Sequence, residues 1–244
     1  YFQLFLNSIM KKYSPQQVQA YYDQFTDSYM EIYGDVIQAF RPSDTTQLLD
    51  YVGRSAGINW GMKVLDLGCG VAGPAIHFAY RWNAGVTGIT ISPVQYEMGL
   101  EKIRKAQQEN NIHLLLGDYH QLSQLPLQDN YFDIALFLES LGHSNDVPIA
   151  LENAYNKVKP SGKIYIKDFF KRKAATAEEQ QKIDHVVENI NRYYNYNTLD
   201  LEETVGALTT AGWGNVVVQP FDFIDDITVR YQFEKVNGID IFEG

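Results

Sequence analysis

The chain has 244 residues, with 20 Lys and Arg against 30 Asp and Glu, for a formal net charge of -10. That length buries a full core in one domain, and the acidic balance disfavours non-specific binding to nucleic acid or to anionic membrane. Cys69 is the single cysteine, so no intrachain disulfide forms and a reducing, cytoplasmic setting is expected; no apolar run approaches the roughly 20 residues of a spanning helix.

Tyr1-Phe2-Gln3 reads as the end of a cleavable tag with a native start near Met10, so residues 1–9 are set aside and 10–244 are taken as one domain. Ser14-Pro15-Gln16-Gln17 offers a serine N-cap, a proline at the first helical position and a glutamine at the third, which predicts a helix over 15–34. Apolar strands then alternate with helical patterns. Strands are expected at 62–68, 85–91, 112–118, 132–139 and 163–169, and helices at 72–82, 92–110 and 147–158. Ser92-Pro93-Val94-Gln95 repeats the earlier capping signature. Such a series predicts an α/β fold, Rossmann-like and doubly wound around a mostly parallel sheet. A polar helical stretch at 177–195, a helix at 200–211 and a strand at 216–223 follow, and the last twenty residues stay unassigned. Residues 10–57 and 171–198 are expected to form helical lid segments around a core at 58–170, with a helix and strands at 199–244.

Val64-Leu65-Asp66-Leu67-Gly68-Cys69-Gly70-Val71-Ala72-Gly73 carries one acid inside an apolar strand and then three glycines spaced G-x-G-x-x-G. A tight turn free of Cβ atoms lets a nucleotide-like cofactor rest on the main chain. A dinucleotide site would place an acid at the end of the second strand, about 20 residues on. Thr90 stands there, which counts against NAD.

With Gly117-Asp118 and Lys159-Pro160-Ser161-Gly162-Lys163, this stretch resembles the class I S-adenosylmethionine-dependent methyltransferases over about 62–170. Gly88-Ile89-Thr90-Ile91-Ser92-Pro93-Val94-Gln95, Tyr21-Tyr22-Asp23 and Ile32-Tyr33-Gly34-Asp35 are similar to the tocopherol, sterol and isoprenoid small-molecule methyltransferases. The resemblance implies a seven-stranded sheet and S-adenosyl-L-methionine as cofactor; no metal-ligating residue is assigned, and metal dependence stays open. The resemblance also implies that Gly68, Cys69 and Gly70 approach the amino-acid end, with Asp66 anchoring that region. Thr90, Ser92 and Gln95 are then expected at the ribose, Asp118 and Tyr119 at the adenine, and Ile91, His120 and Leu138 elsewhere beside the cofactor. A structural alternative stands beside two of these: Asp66 tying up loop amides, and Gln95 closing its capping box.

Phe137-Leu138-Glu139-Ser140-Leu141-Gly142-His143-Ser144 ends the fourth strand. An ionisable residue at the mouth of an apolar strand is costly unless paired or used, so Glu139 and His143 are the catalytic candidates. On an alkene, Glu139 would stabilise the carbocation and either residue would take the proton. On a hydroxyl or amine, His143 would be the base. The alternative is that both orient a loop or the cofactor.

Tyr22, Phe25, Tyr29 and Tyr33 recur at helical spacing, either as a packing face or as an aromatic lid over the substrate pocket. Tyr193, with Tyr194 and Tyr196, raises the same choice. Lys167, Lys171, Arg172 and Lys173 form either a solvated loop or a diphosphate-binding cluster, and Lys171 is the one assigned to the pocket. The function expected is methyl transfer to carbon of a small apolar acceptor, an isoprenoid or a prenyl diphosphate. The alternative is O- or N-methylation of a small natural product. The expected partner is that small molecule, with no nucleic acid and no membrane span; a homodimer stays open.

Overall fold

The computed structural model describes residues 12–221 and 228–239. Five strands, β1 (Lys63–Leu67), β2 (Gly85–Thr90), β3 (Ile112–Leu116), β4 (Phe132–Leu138) and β5 (Val158–Lys167), form one sheet in the order β3-β2-β1-β4-β5. Every pairing is parallel. Eight α-helices are described: α1 (Pro15–Tyr33), α2 (Thr45–Ala56), α3 (Gly73–Trp82), α4 (Pro93–Lys105), α5 (Val147–Lys157), α6 (Ala177–Tyr194), α7 (Leu201–Ala211) and α8 (Thr228–Val236).

Strand periodicity divides the interior into two cores. On β4, Ile134, Leu136 and Leu138 enter one core with Val64, Phe78 and the buried face of α2. Ala135 and Phe137 enter the other with Leu65, Leu67 and residues of α5 and α7. Successive side chains point to opposite faces, so a strand covered on both faces has to be apolar throughout. The strand order reverses between β1 and β4, which pair directly with Asp66 opposite Leu136. The crevice at the carboxyl ends beside such a reversal is where open α/β sheets bind ligands.

Several expectations hold with adjusted ends. The helix at α1 has the capping box, Ser14 and Gln17 each bonding the other's backbone. The α4 helix stops at Lys105 rather than near 110, because Gln107 turns to φ +53. The α2 helix, not separately expected, was legible: Asp44 caps the amides of Thr46 and Gln47, and Leu48, Leu49, Val52 and Ala56 are buried. Instead of seven strands, five are present among the described residues. Residues 216–221 form no strand, and 222–223 lie outside the described residues. Val216, Val217 and Val218 are exposed there, and β-branched propensity without a partner edge does not make a strand.

The α1 helix crosses the carboxyl edge of the sheet. Ser92 Oγ, at the start of α4, donates to Asp23 Oδ1 at 2.6 Å. Asn195 Nδ2, just past α6, donates to the Gln17 carbonyl at 2.9 Å. On its outer side Tyr29 stacks on Phe233 of α8 at 4.1 Å. Among the described residues, no helix is long and apolar enough to cross a membrane.

Candidate functional site

Two cavities open at the strand reversal. The first, of about 670 Å³, is walled by the ends of β1, β2 and β4 and roofed by Pro15, Val18 and Tyr22 of the α1 region. Gly68, Gly70, Thr90, Ile91, Gln95, Asp118, Tyr119, His120 and Leu138 all line it, together with Gly117 and Ser140. Gly68 sits at φ +92, and a Cβ there would lie 2.4 Å from Ser140 Cβ. Only glycine meets both demands. The third glycine has a different task. A Cβ on Gly73 would lie 2.0 Å from the Asp35 carbonyl oxygen, so Gly73 lets the α1–α2 connection pass over the start of α3.

Three residues expected at the cofactor do not line this cavity. The Ser92 hydroxyl is taken up by Asp23 and by the Gln95 amide it caps. Cys69 is buried in a hydrophobic core; burial pushes its thiol well up, so it stays protonated and inert. Asp66 lies beneath the glycine turn, 1% exposed. Neither of its oxygens has a hydrogen-bond partner, and burial pushes its carboxyl up to about 7. This excludes the reading in which Asp66 ties up loop amides. A buried carboxylate without a partner costs stability until a donor or a cation reaches it.

The other polar groups of this cavity are already oriented. Thr90 Oγ1 donates to Gln95 Oε1 at 3.1 Å. Asp118 Oδ1 accepts from the His120 amide at 2.8 Å and faces His120 Nδ1 at 2.6 Å. Burial opposes ionisation of Asp118, but the His120 bonds hold its carboxyl below the usual range. His120 Nε2 lies 2.7 Å from Ser144 Oγ. A Cβ-free turn, an orphaned carboxylate, a neutral hydroxyl–amide pair and a second acid suit a molecule with an ammonium, a ribose and an adenine. The residues present fit S-adenosylmethionine.

The second cavity, of about 580 Å³, is lined by Tyr22, Tyr29, Tyr33, Ile37, Ala39, Phe40, Glu139, His143, Phe169, Ile190, Tyr194 and Tyr196. It shares Tyr22, Ile37, Glu139 and His143 with the first. Glu139 follows β4 at φ +55, an unusual conformation for a residue with a side chain. Its carboxylate accepts from the amides of Ala39 (2.7 Å) and Phe40 (3.4 Å) and pairs with Lys167. Lys167 is itself buried, its side chain 4% exposed, so each charge of this pair answers the other.

His143 is buried with Nδ1 3.2 Å from the Asn195 carbonyl and Nε2 2.8 Å from Tyr22 Oη. A carbonyl only accepts, so Nδ1 carries the hydrogen. Burial pulls the imidazole down to about 4, leaving it neutral at pH 7 with Nε2 as acceptor for the Tyr22 hydroxyl. The Tyr196 ring meets His143 edge-on at 4.5 Å, and its hydroxyl bonds Asp168. Asp168 also accepts from the amide of Gly142, the residue before His143.

Three residues expected in the substrate pocket lie outside both cavities. At about 100° per helical residue, Phe25 is turned roughly 60° from Tyr22 and packs with Tyr21 and Phe233. Tyr193 is turned about 100° from Tyr194 and lies under the Arg192 guanidinium at 4.5 Å. Lys171 pairs with Asp200 at 3.3 Å on an outer groove. Arg172 and Lys173 pair with Glu179 and Glu202. Lys167 at the end of β5 and the three cations after it are thus each paired, and they do not converge on the cavity as a diphosphate site. Sequence reasoning missed Ile37, Ala39, Phe40, Phe169, Ile190 and Asp168. Asp168 had a signal, an acid at the mouth of β5 like Glu139 at the mouth of β4; the loop at 37–40 had none, since Glu139 holds it from a distant strand.

Comparison with known proteins agrees with this geometry. A methyltransferase domain model matches residues 58–223. The chain is 30% identical over 168 residues to 27-O-demethylrifamycin SV methyltransferase from Amycolatopsis mediterranei, covering 66% of this chain and 61% of that protein. It is 33% identical over 112 residues to a sterol 24-C-methyltransferase from Gibberella zeae, covering 46% and 29%. The chain therefore spans less than two-thirds of these relatives' own length. Among solved structures, the [4+2]-cyclase SpnF superposes with a TM-score of 0.69 at 24% identity, covering 82% of this chain and 73% of that one. A geranyl diphosphate C-methyltransferase from Streptomyces coelicolor gives 0.58 at 16%, covering 68% and 60%; both likenesses concern the fold alone. Since the matched residues carry the whole parallel sheet and the glycine turn at its reversal, the chain belongs to the methyltransferase domain family, within the class I S-adenosylmethionine-dependent methyltransferases.

Proposed function

We propose that the protein transfers the methyl group of S-adenosylmethionine to carbon of a small, uncharged, largely apolar acceptor. The observation that carries this reading is the junction, where the cofactor-fitting cavity and the aromatic cavity share Tyr22, Ile37, Glu139 and His143. A donor and an acceptor lodged on its two sides meet there in line, which is most of what methyl transfer requires of a protein. When bound, the cofactor supplies an electrophilic methyl carbon.

This chain's residues do the rest. Gly68 and Gly70 cradle the amino-acid end, Asp66, buried beneath that turn, favours its ammonium by charge without lining the cavity, and the Thr90–Gln95 pair meets the ribose. Asp118, Tyr119 and Leu138 wall the adenine, with His120 bracing Asp118. On the acceptor side, tyrosine hydroxyls are tied away from the cavity: Tyr29 to Tyr21, Tyr194 to Glu234 and Tyr196 to Asp168. Their rings, with Phe40 and Phe169, present π surface that stabilises positive charge developing on an alkene carbon. His143 Nε2 then takes the proton that the acceptor sheds, directly or through the Tyr22 hydroxyl. Glu139, already satisfied by Lys167 and two amides, serves as the anchor of the 39–40 loop. The sterol C-methyltransferase relative supports carbon as the target, and the paired cations after β5 argue for an acceptor without a diphosphate.

A second reading is O-methylation. It is favoured by the neutral His143 beside Tyr22 and by the rifamycin-type relative. Screening apolar alkenes and alcohols with labelled cofactor, and solving the product by mass and NMR, separates the two. A methyl group found on oxygen overturns the carbon reading, and calorimetry showing no cofactor binding overturns both.

A further inference from the structure

We infer that the aromatic cavity continues outward into a second subsite, a groove along α6 that holds the apolar stem of an elongated, uncharged acceptor. The inference rests on the acceptor assignment above and extends it to the part of the molecule that does not react. The groove, of about 1180 Å³, shares Phe169 and Ile190 with the aromatic cavity. The two spaces therefore adjoin at one phenyl ring and one isoleucine. Phe169 is braced there, stacked on Tyr196 at 4.6 Å and meeting Phe40 edge-on at 5.7 Å.

Beyond that threshold the groove is lined by Phe170, Ile183, Val186 and Val187. Ile183, Val186, Val187 and Ile190 recur at helical spacing as one apolar stripe of α6. Ile183, Val186 and Ile190 remain half-buried rather than enclosed. At about 1.5 Å per residue, the run from Ile190 to Ile183 gives roughly 10 Å of apolar track leading away from the junction. A contiguous apolar strip left facing solvent marks a binding surface, and its position next to the cavity, across Phe169 and Ile190, points to the far end of the same acceptor as the occupant. The rim carries Lys171, Arg172 and Lys182, but each is paired, with Asp200, Glu179 and Glu178. The groove thus offers apolar surface and no uncompensated charge, which suits a hydrocarbon stem better than an anionic one.

The test is equilibrium binding of graded prenyl alcohols, geraniol, farnesol and geranylgeraniol, with S-adenosylhomocysteine present so that nothing turns over. Affinity is expected to rise by at least about tenfold from geraniol to geranylgeraniol, a conservative figure against the roughly fourfold per fully buried methylene. Val186→Asp and, separately, Ile183→Asp should flatten that rise while leaving geraniol and S-adenosylhomocysteine affinity within about twofold, the latter showing that each variant is folded. Ile190→Trp, which narrows the threshold, should weaken geranylgeraniol more than geraniol. A flat series in the wild type, no binding of any of the three, or a length dependence that survives both aspartates overturns the subsite. A length dependence lost in the groove variants, in a protein that methylates no acceptor, leaves the subsite standing and removes the catalytic reading instead.

Discussion

The two cavities share one wall and are built by opposite means. The proposed donor side is made of turns that follow successive strands, and its shape rests on the close approach of backbone at glycine. Gly68 leaves β1 into a space bounded by Ser140, and Thr90 ends β2. The acceptor side is made of side chains delivered from far apart: Tyr22 from α1, Phe40 from the α1–α2 connection, Phe169 after β5, and Tyr196 beyond α6. Contacts such as Tyr22 to His143 and Ala39 to Glu139 join residues about a hundred positions apart. A backbone cradle recognises what its cofactor always presents, whereas a box of rings is re-shaped by single substitutions. On the proposed function, the first half is the part a family can keep, and the second is where acceptor choice would reside.

Gly68→Ala tests that contrast most severely. The substitution places a Cβ at φ +92 and 2.4 Å from Ser140 Cβ, so stability should fall by about 1–3 kcal/mol or more. Cofactor affinity by calorimetry should fall at least about a hundredfold. Wild-type affinity in this variant would mean that the turn is not the donor site.

Asp66→Asn separates stability from binding on the same side. Burial raises the Asp66 carboxyl from an ordinary 3.8 to about 7, so the folded state prefers the protonated form. The stabilising contribution is present in full below pH 3.8 and is lost as the pH rises through 7. Removing the ionisable group should raise the stability of the cofactor-free protein at pH 8 by on the order of 2–4 kcal/mol. Denaturant unfolding of both proteins at pH 5 and 8 reads this directly, and the variant should bind the cofactor more weakly. A variant equally destabilised at both pH values would mean that Asp66 is paired and not orphaned.

Tyr22→Phe probes the acceptor side at the junction. It deletes the 2.8 Å contact to His143 and keeps the ring. We expect turnover to fall about ten- to a hundredfold, with cofactor affinity within about threefold. A loss confined to cofactor binding would move Tyr22 from the acceptor side to the donor side. At the small end, Lys171→Ala and Tyr193→Ala should leave both stability, within about 0.5 kcal/mol, and turnover nearly unchanged. A tenfold fall in turnover with Lys171→Ala would restore a charged end to the acceptor.

Legibility followed the same division. The capping box of α1, the alternation into a parallel sheet and the glycine turn were readable because each is written in consecutive residues. Nine of the twelve residues expected at the cofactor line the first cavity, Asp66, Cys69 and Ser92 being the exceptions. Ser92 shows most plainly why it does not: its hydroxyl looked free for a ligand until α1 brought Asp23 against it. The same holds for Lys167, which looked like an anion-binding cation until Glu139 met it. The expected strand at 216–223 has β-branched residues in place, yet its residues through 221 pair with no strand edge.

By itself, then, the sequence determined the donor half, because turn geometry, capping and strand periodicity act over a few residues and need no distant partner. Only the tertiary structure decided which tyrosines line the second cavity, that Glu139 is paired and His143 neutral, and that the basic residues after β5 are spent on carboxylates. Those outcomes depend on desolvation and on which charge or ring arrives from another element, and neither is a property of neighbouring positions in the chain.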